Sequence, residues 1–176
     1  LVTCESWSNI TLNESFADYS ETLWFEHKYG KVEGDGWNNR CMRIYLDNPA
    51  DTAKNLVQFY YNDPQDVFDN VSYPKGGRIL GMLRNYVGDS AFFKSLNLYL
   101  TKNKFKSAEA QNLRLAFEEV TGKDLNWFFN EWYYSNGHPK LNINYDYDAA
   151  NKTAKVFIAQ TQSGKPFKLP FAIDVY

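Results

Sequence analysis

Few residues in this chain can carry metal or acid–base chemistry, and their types and spacing set the first limits. Its 176 residues hold two histidines, His27 and His138, and two cysteines, Cys4 and Cys41. Neither HExxH nor CxxC occurs, so a complete His-based metal site is not encoded in these residues. His27 is at helical spacing from Phe16 and Leu23 with no second His or Cys within a turn, which makes it a packing or surface residue rather than a ligand. Cys4 and Cys41 are free to pair or to stay as thiols, because two cysteines do not make a disulfide framework. Glu14, taken alone, is a first-turn glutamate of the kind the helix dipole favours. Tyr73, taken alone, is a partly buried tyrosine with a satisfied hydroxyl. Asp18 and Glu21 lie on or near the Glu14 face and either support that carboxylate or form a solvated face. The triplets at Asn9, Asn70 and Asn151 fit N-glycosylation acceptors, with meaning only in a secretory context.

Two stretches of sequence change the weight of Glu14 and Tyr73. The first is Trp7…Asn9-Ile10-Thr11-Leu12-Asn13-Glu14-Ser15-Phe16-Ala17-Asp18-Tyr19, and the second is Val71-Ser72-Tyr73-Pro74-Lys75-Gly76-Gly77. In this order and at this separation they resemble the aminopeptidase N-like family of gluzincin metallopeptidases. There, an HExxH helix is followed eighteen residues later by a glutamate in a W…LNEGFA context, and further on by a tyrosine in a VxYxKG context. Leu1-Val2-Thr3 is similar to the end of the family's HExxHxWFGDLVT segment, and counting back from Glu14 places the second His before residue 1. Ser15 stands where many members have Gly, a small change beside the ligand. Pro74 stands where many have Glu, a change expected to stiffen the neighbourhood of Tyr73 without moving it.

The resemblance implies a role for each residue. A catalytic zinc takes three protein ligands and keeps one position for water. Glu14 would be the carboxylate ligand, with both His ligands and the general-base Glu lying upstream. Tyr73 would donate a hydrogen bond to the oxyanion of the tetrahedral intermediate. The implied parent is a zinc metalloaminopeptidase acting on peptide substrates, and the chain alone is expected to bind zinc weakly or not at all and to be inactive. The alternative is a non-catalytic relative that keeps the helical scaffold as an interaction module.

The elements that would position these residues are mostly helical. A helix is expected over Asn13–Tyr29 with Phe16, Ser20, Leu23 and His27 as one stripe, stopping at Gly30. GKVEGDG breaks it, a second helix covers Asn38–Leu46, and a short third covers Ala50–Val57. Gln58–Ser72 contains Pro64 and several Asp and Asn and reads as an irregular loop of the sort that is often functional. Helices follow on either side of Gly88-Asp89-Ser90, then one capped by Ser107 and closed by Thr121-Gly122, then one capped by Asp124. After the stop at 135–139, LNINYDY, AKVFIAQT and KLPFAIDVY read as three short antiparallel strands. The fold class is therefore mainly α with a short antiparallel β segment. The resemblance makes residues 1–139 the helical half of a thermolysin-like catalytic domain and residues 140–176 the first strands of a β-sandwich domain.

Composition supports a folded chain and excludes several functions. Apolar residues make up 44% and aromatics 18%, too much bulky apolar surface for a disordered segment. The 19 basic and 21 acidic residues form no long run of one sign, so there is no electrostatic footprint for nucleic acid or anionic lipid. No apolar stretch approaches the roughly 20 residues of a membrane span.

Overall fold

The computed structural model describes residues 1–173 and places Glu14 in the first turn of α1 (Thr11–Tyr29). Gly30, at φ 96°, turns the chain directly into α2 (Lys31–Leu46). Single turns follow at Pro49–Ala53 and Pro64–Val67. A five-residue π turn, Val71–Lys75, then runs into α3 (Gly76–Val87), and α4 (Asp89–Lys102), α5 (Ala110–Thr121) and α6 (Asn126–Trp132) complete the helices. Two residues near the start, β1 (Thr3–Cys4), pair in parallel with β2 (Ser107–Ala108). All of this lies in one unit, Leu1–Asn136; a second unit starts at Gly137.

The core of the first unit is aromatic and aliphatic: Ile79, Leu80, Leu83, Phe92, Leu113, Phe117, Phe128 and Phe129 are buried. Phe92 meets Tyr19, Phe93 and Phe117 edge to face, with ring centroids 5.4–5.9 Å apart, a favoured geometry for aromatic pairs. Two ion pairs bolt α1 to α3. Arg78 reaches Asp18 at 2.8 Å, and Arg84 grips Glu26 through both nitrogens at 2.7 and 3.0 Å. No helix among the described residues is long and apolar enough to cross a membrane.

In the second unit β3 (Leu141–Asp148) pairs antiparallel with β4 (Thr153–Gln160), Leu141 opposite Gln160 and Asp148 opposite Thr153. Asp148 closes the hairpin by accepting from the backbone N–H groups of Ala150 and Asn151.

Several expectations give way to the structure. In GKVEGDG only Gly30 interrupts the helix; Lys31–Gly36 are the start of α2. Gly34 serves close packing there, since a Cβ at that position would lie 2.8 Å from the Glu26 Cβ. The third helix is only a 3-10 turn, leaving Leu56 and Val57 buried outside it. The buried stripe of α1 is Leu12, Ser15, Tyr19 and Thr22, while Phe16 and Leu23 border an apolar groove with Leu96, Tyr99 and Leu100 of α4. Ser107 belongs to β2, and Glu109 with Asn112 forms the capping box of α5. The third strand is not formed over the described part of KLPFAIDVY, where Pro170 lacks a ladder donor; Asp174, Val175 and Tyr176 lie outside the described residues. Instead the Gln160 side chain pairs with both backbone groups of Phe167, at 2.7 and 2.8 Å. Cys4 and Cys41 are both free thiols. Asn9 is buried with its Oδ1 accepting from the Ala110 N–H at 3.0 Å, a structural cap in place of a glycosylation acceptor.

Candidate active site

Glu14 and Tyr73 come together. They are 59 positions apart in sequence, yet the Glu14 carboxylate lies close enough to the Tyr73 hydroxyl to act on its ionisation. Burial and the neighbouring Glu14 carboxylate push the Tyr73 phenol up to about 12, so it remains a protonated donor across the neutral range. Both side chains are half-buried.

The π turn that carries Tyr73 follows from its sequence. Pro74 has no N–H to give to the Asn70 carbonyl, and the Lys75 N–H takes that carbonyl instead at 3.1 Å, one residue beyond the α-helical partner. The turn is capped by Asp69, whose Oδ1 accepts from the Val71 and Ser72 N–H groups at 3.0 and 2.9 Å. Its Oδ2 accepts from Lys54 Nζ at 2.7 Å and from Gln58 at 3.3 Å. Ser72 Oγ donates back to the Val67 carbonyl at 2.6 Å. The loop read from the sequence as irregular is thus tied down at its functional end.

Gly76 and Gly77 explain how this turn approaches the Glu14 helix. A Cβ on Gly76 would lie 1.8 Å from Ser15 Oγ, and one on Gly77 would lie 2.2 Å from Asp18 Oδ1. Only glycine lets the start of α3 press this closely on α1. Ser15 uses the proximity: its hydroxyl donates to the Ser72 carbonyl at 2.7 Å. The sequence marked Ser15 as a small change; the structure gives it a bond between the neighbours of both candidate residues. Asp18 is neither a solvated residue nor a partner of Glu14, because it is committed to Arg78. Glu21 and His27 are exposed.

Lys75 is the group that sequence reasoning missed. It is only 4% exposed, and its Nζ has no hydrogen-bond partner among the described residues; it lies 5.3 Å over the Tyr45 ring. Burial lowers its amine to about 8 against the pull of Asp69 and Asp51. Because the unfolded chain then holds this proton more tightly than the folded one, stability must rise with pH between those two pKa values. Between pH 7 and 9.5 the gain is roughly 2 kcal/mol, from about 1.4 kcal/mol per pH unit over the part of the window above 8. Cys4 and Cys41, whose thiols burial pushes up, contribute the opposite slope. Urea unfolding of the chain and of Lys75→Met across this window separates the two, since the thiols are common to both and the rise is expected only with the lysine.

Among the described residues no group of three or more His, Cys, Asp or Glu side chains gathers as a metal site. Glu14 fits one ligand position, a half-buried carboxylate in the first turn of α1 beside the Tyr73 hydroxyl, and does not make a site by itself.

The helical unit that carries these residues has counterparts among known proteins. The Peptidase family M1 domain matches residues 1–132, and the chain belongs to that family. It is 27% identical over 182 residues to a probable aminopeptidase 1 of Sulfurisphaera tokodaii, covering 99% of this chain and 23% of that protein. It is 31% identical to the tricorn protease-interacting factor F2 of Thermoplasma volcanium, covering 93% of this chain and 22% of that protein. The crystal structure of Legionella pneumophila aminopeptidase A in complex with aspartic acid superposes with a TM-score of 0.74 at 19% identity, over 91% of this chain and 18% of that one. The M1 zinc metallopeptidase of Deinococcus radiodurans superposes at 0.63 and 23% identity, over 78% and 30%. These likenesses show the mainly α fold with its β segment. The chain spans less than a quarter of the length of either curated relative.

Proposed function

We propose that the protein to which this chain belongs is a zinc aminopeptidase, removing amino-terminal residues from peptides, and that this chain supplies its carboxylate ligand and its oxyanion donor. The observation that supports the reading is the convergence of Glu14 and Tyr73: two residues picked out by separate sequence motifs lie close enough for the carboxylate to shift the phenol's ionisation. Zinc, when bound, would supply Lewis acidity and an activated water for attack on the scissile carbonyl. Glu14 holds its carboxylate in the first turn of α1, directly before the strapped Ser15, where the helix fixes its direction. Tyr73 keeps its proton at the phenol oxygen and donates it as a hydrogen bond to the developing oxyanion, without proton transfer. Lys54, Asp69 and Ser72 keep the turn rigid, so the donor is oriented before substrate arrives.

The domain reading accompanies this. Residues 1–139 are proposed as the helical part of the catalytic domain and residues 140–176 as the start of a following β domain. The exposed Leu141, Ile143 and Tyr145 of β3 and Val156 and Phe157 of β4 support a larger sheet around the hairpin.

The test compares the full-length protein with the chain described here. Stoichiometric zinc and turnover of aminoacyl anilides are expected for the former, and neither for the latter, because one carboxylate cannot replace three ligands. Full-length protein without zinc or turnover would favour the interaction-module alternative.

A further inference from the structure

We propose that Ser15 is a positioning residue of the site, fixing the Tyr73 hydroxyl relative to Glu14 through its bond to the Ser72 carbonyl; the inference rests on the function proposed above.

Ser15 follows Glu14 on α1 and Ser72 precedes Tyr73 on the π turn, so the 2.7 Å bond between them joins the two functional residues by the shortest route outside their own contact. It is wholly internal: Ser15 is 1% exposed and Ser72 0%. Proton placement along it is determined. Ser15 gives its only hydroxyl proton to the Ser72 carbonyl, so the 2.5 Å contact with Thr11 Oγ1 requires Thr11 to donate to Ser15. Thr11 is itself 1% exposed and lies one helical turn before Ser15. The result is a directed chain, Thr11 to Ser15 to Ser72, that runs from the first residue of α1 to the residue next to Tyr73. The Ser72 hydroxyl continues it by donating to the Val67 carbonyl.

This strap differs from packing in two respects. A hydrogen bond of set direction fixes distance and angle, which contact between apolar groups does not. It is also made possible by a specific absence, since any side chain on Gly76 would occupy the space of Ser15 Oγ. The other tethers of the turn, Asp69 to Val71 and Ser72 and Ser72 to Val67, are local to the loop and do not reach α1. Ser15 alone among them ties the loop to the helix that carries Glu14. Without it, the Tyr73 hydroxyl keeps its chemistry and loses its registration.

The experiment uses the full-length zinc protein and a double-mutant cycle with Ser15→Ala and Tyr73→Phe, following kcat and KM on an alanyl or leucyl anilide together with bound zinc. Ser15→Ala is expected to lower kcat about 5- to 20-fold with KM within about twofold and zinc unchanged, the pattern of a misplaced transition-state donor. In the Tyr73→Phe background the same substitution is expected to cost less than about twofold, because its effect passes through the missing hydroxyl. A purely structural serine would cost the same factor in both backgrounds, and that outcome overturns the proposal, as does an unchanged kcat in Ser15→Ala. If the Ala variant does not fold, Ser15→Cys, close in size and a weak donor, is put through the same cycle with the same expectations. A Tyr73→Phe enzyme as fast as its parent sinks the function assigned to Tyr73 and this inference with it. A slow Tyr73→Phe enzyme beside an unaffected Ser15→Ala one sinks this inference alone.

Discussion

Glu14→Ala in the full-length protein is expected to lose its zinc, and with it essentially all turnover. Residues that only orient a metal ligand cost 10–100-fold in affinity when removed, so removing a ligand is expected to cost on the order of 10³-fold or more. Atomic absorption on the dialysed protein should find well under one zinc per chain. The change also removes the carboxylate beside the Tyr73 hydroxyl, so a control is needed that separates the two roles. Glu14→Gln keeps an acceptor for Tyr73 and removes the negative charge that a zinc ligand needs. If Glu14 is the ligand, the Gln variant loses zinc nearly as completely as the Ala variant while its unfolding midpoint stays near that of the zinc-free parent. Full zinc occupancy in both variants would remove Glu14 from the metal site and leave it an ordinary first-turn acid.

How this pair came to be visible before the fold was known has a physical reason. Glu14 and Tyr73 are set by short words whose local requirements are strict: a helix start for one, a glycine-flanked turn for the other. The extent of α3, α5 and α6 was legible because Leu80, Leu83, Leu113, Phe117, Phe128 and Phe129 recur at helical spacing and are buried. The errors fall where the deciding contact is distant in sequence. Gly34 and Gly36 have the local signature of a break, yet α2 runs through them because Gly34 must admit the Glu26 backbone and side chain. Ser107 has the signature of an N-cap, but its backbone pairs with Thr3, over a hundred positions away. KLPFAIDVY alternates like a strand, and no ladder partner forms over its described part. Within the site, the strap from Ser15 to Ser72 and the burial of Lys75 were out of reach for the same reason. Nothing in the local text of either residue indicates that a helix face 57 positions away lies within hydrogen-bond range.

The Lys75 amine and the Asp69 cap also show what the site asks of the fold. The turn bearing Tyr73 carries a proline inside it, an unpartnered amine beneath it and a π-type step, each of which costs stability in isolation. They persist because Asp69, Ser15 and the glycine pair hold the turn from three sides. Local features unfavourable to folding are gathered next to the residue with the proposed chemical role, which is the usual location of such features.

Tyr73→Phe tests that role with the smallest possible change. The phenylalanine keeps the ring and its contacts and deletes one oxygen, so folding and zinc content are expected to match the parent. In the proposed role, what is lost is the donor to the position where negative charge develops. Removal of one such donor costs about 10²- to 10³-fold in kcat, or roughly 3–4 kcal/mol of transition-state stabilisation. An interaction made only with the developing oxyanion leaves ground-state binding nearly unchanged, so KM is expected to move by no more than about threefold. The profile of kcat against pH adds a further readout. With the phenol held up to about 12, its ionisation lies above the working range, and the parent's profile should show no descending limb from Tyr73 below pH 10. A fall in kcat of two orders with zinc retained and KM held is the signature of an oxyanion donor. A variant that loses zinc along with rate would instead make Tyr73 a support for Glu14, and the division of labour between the two residues would have to be redrawn.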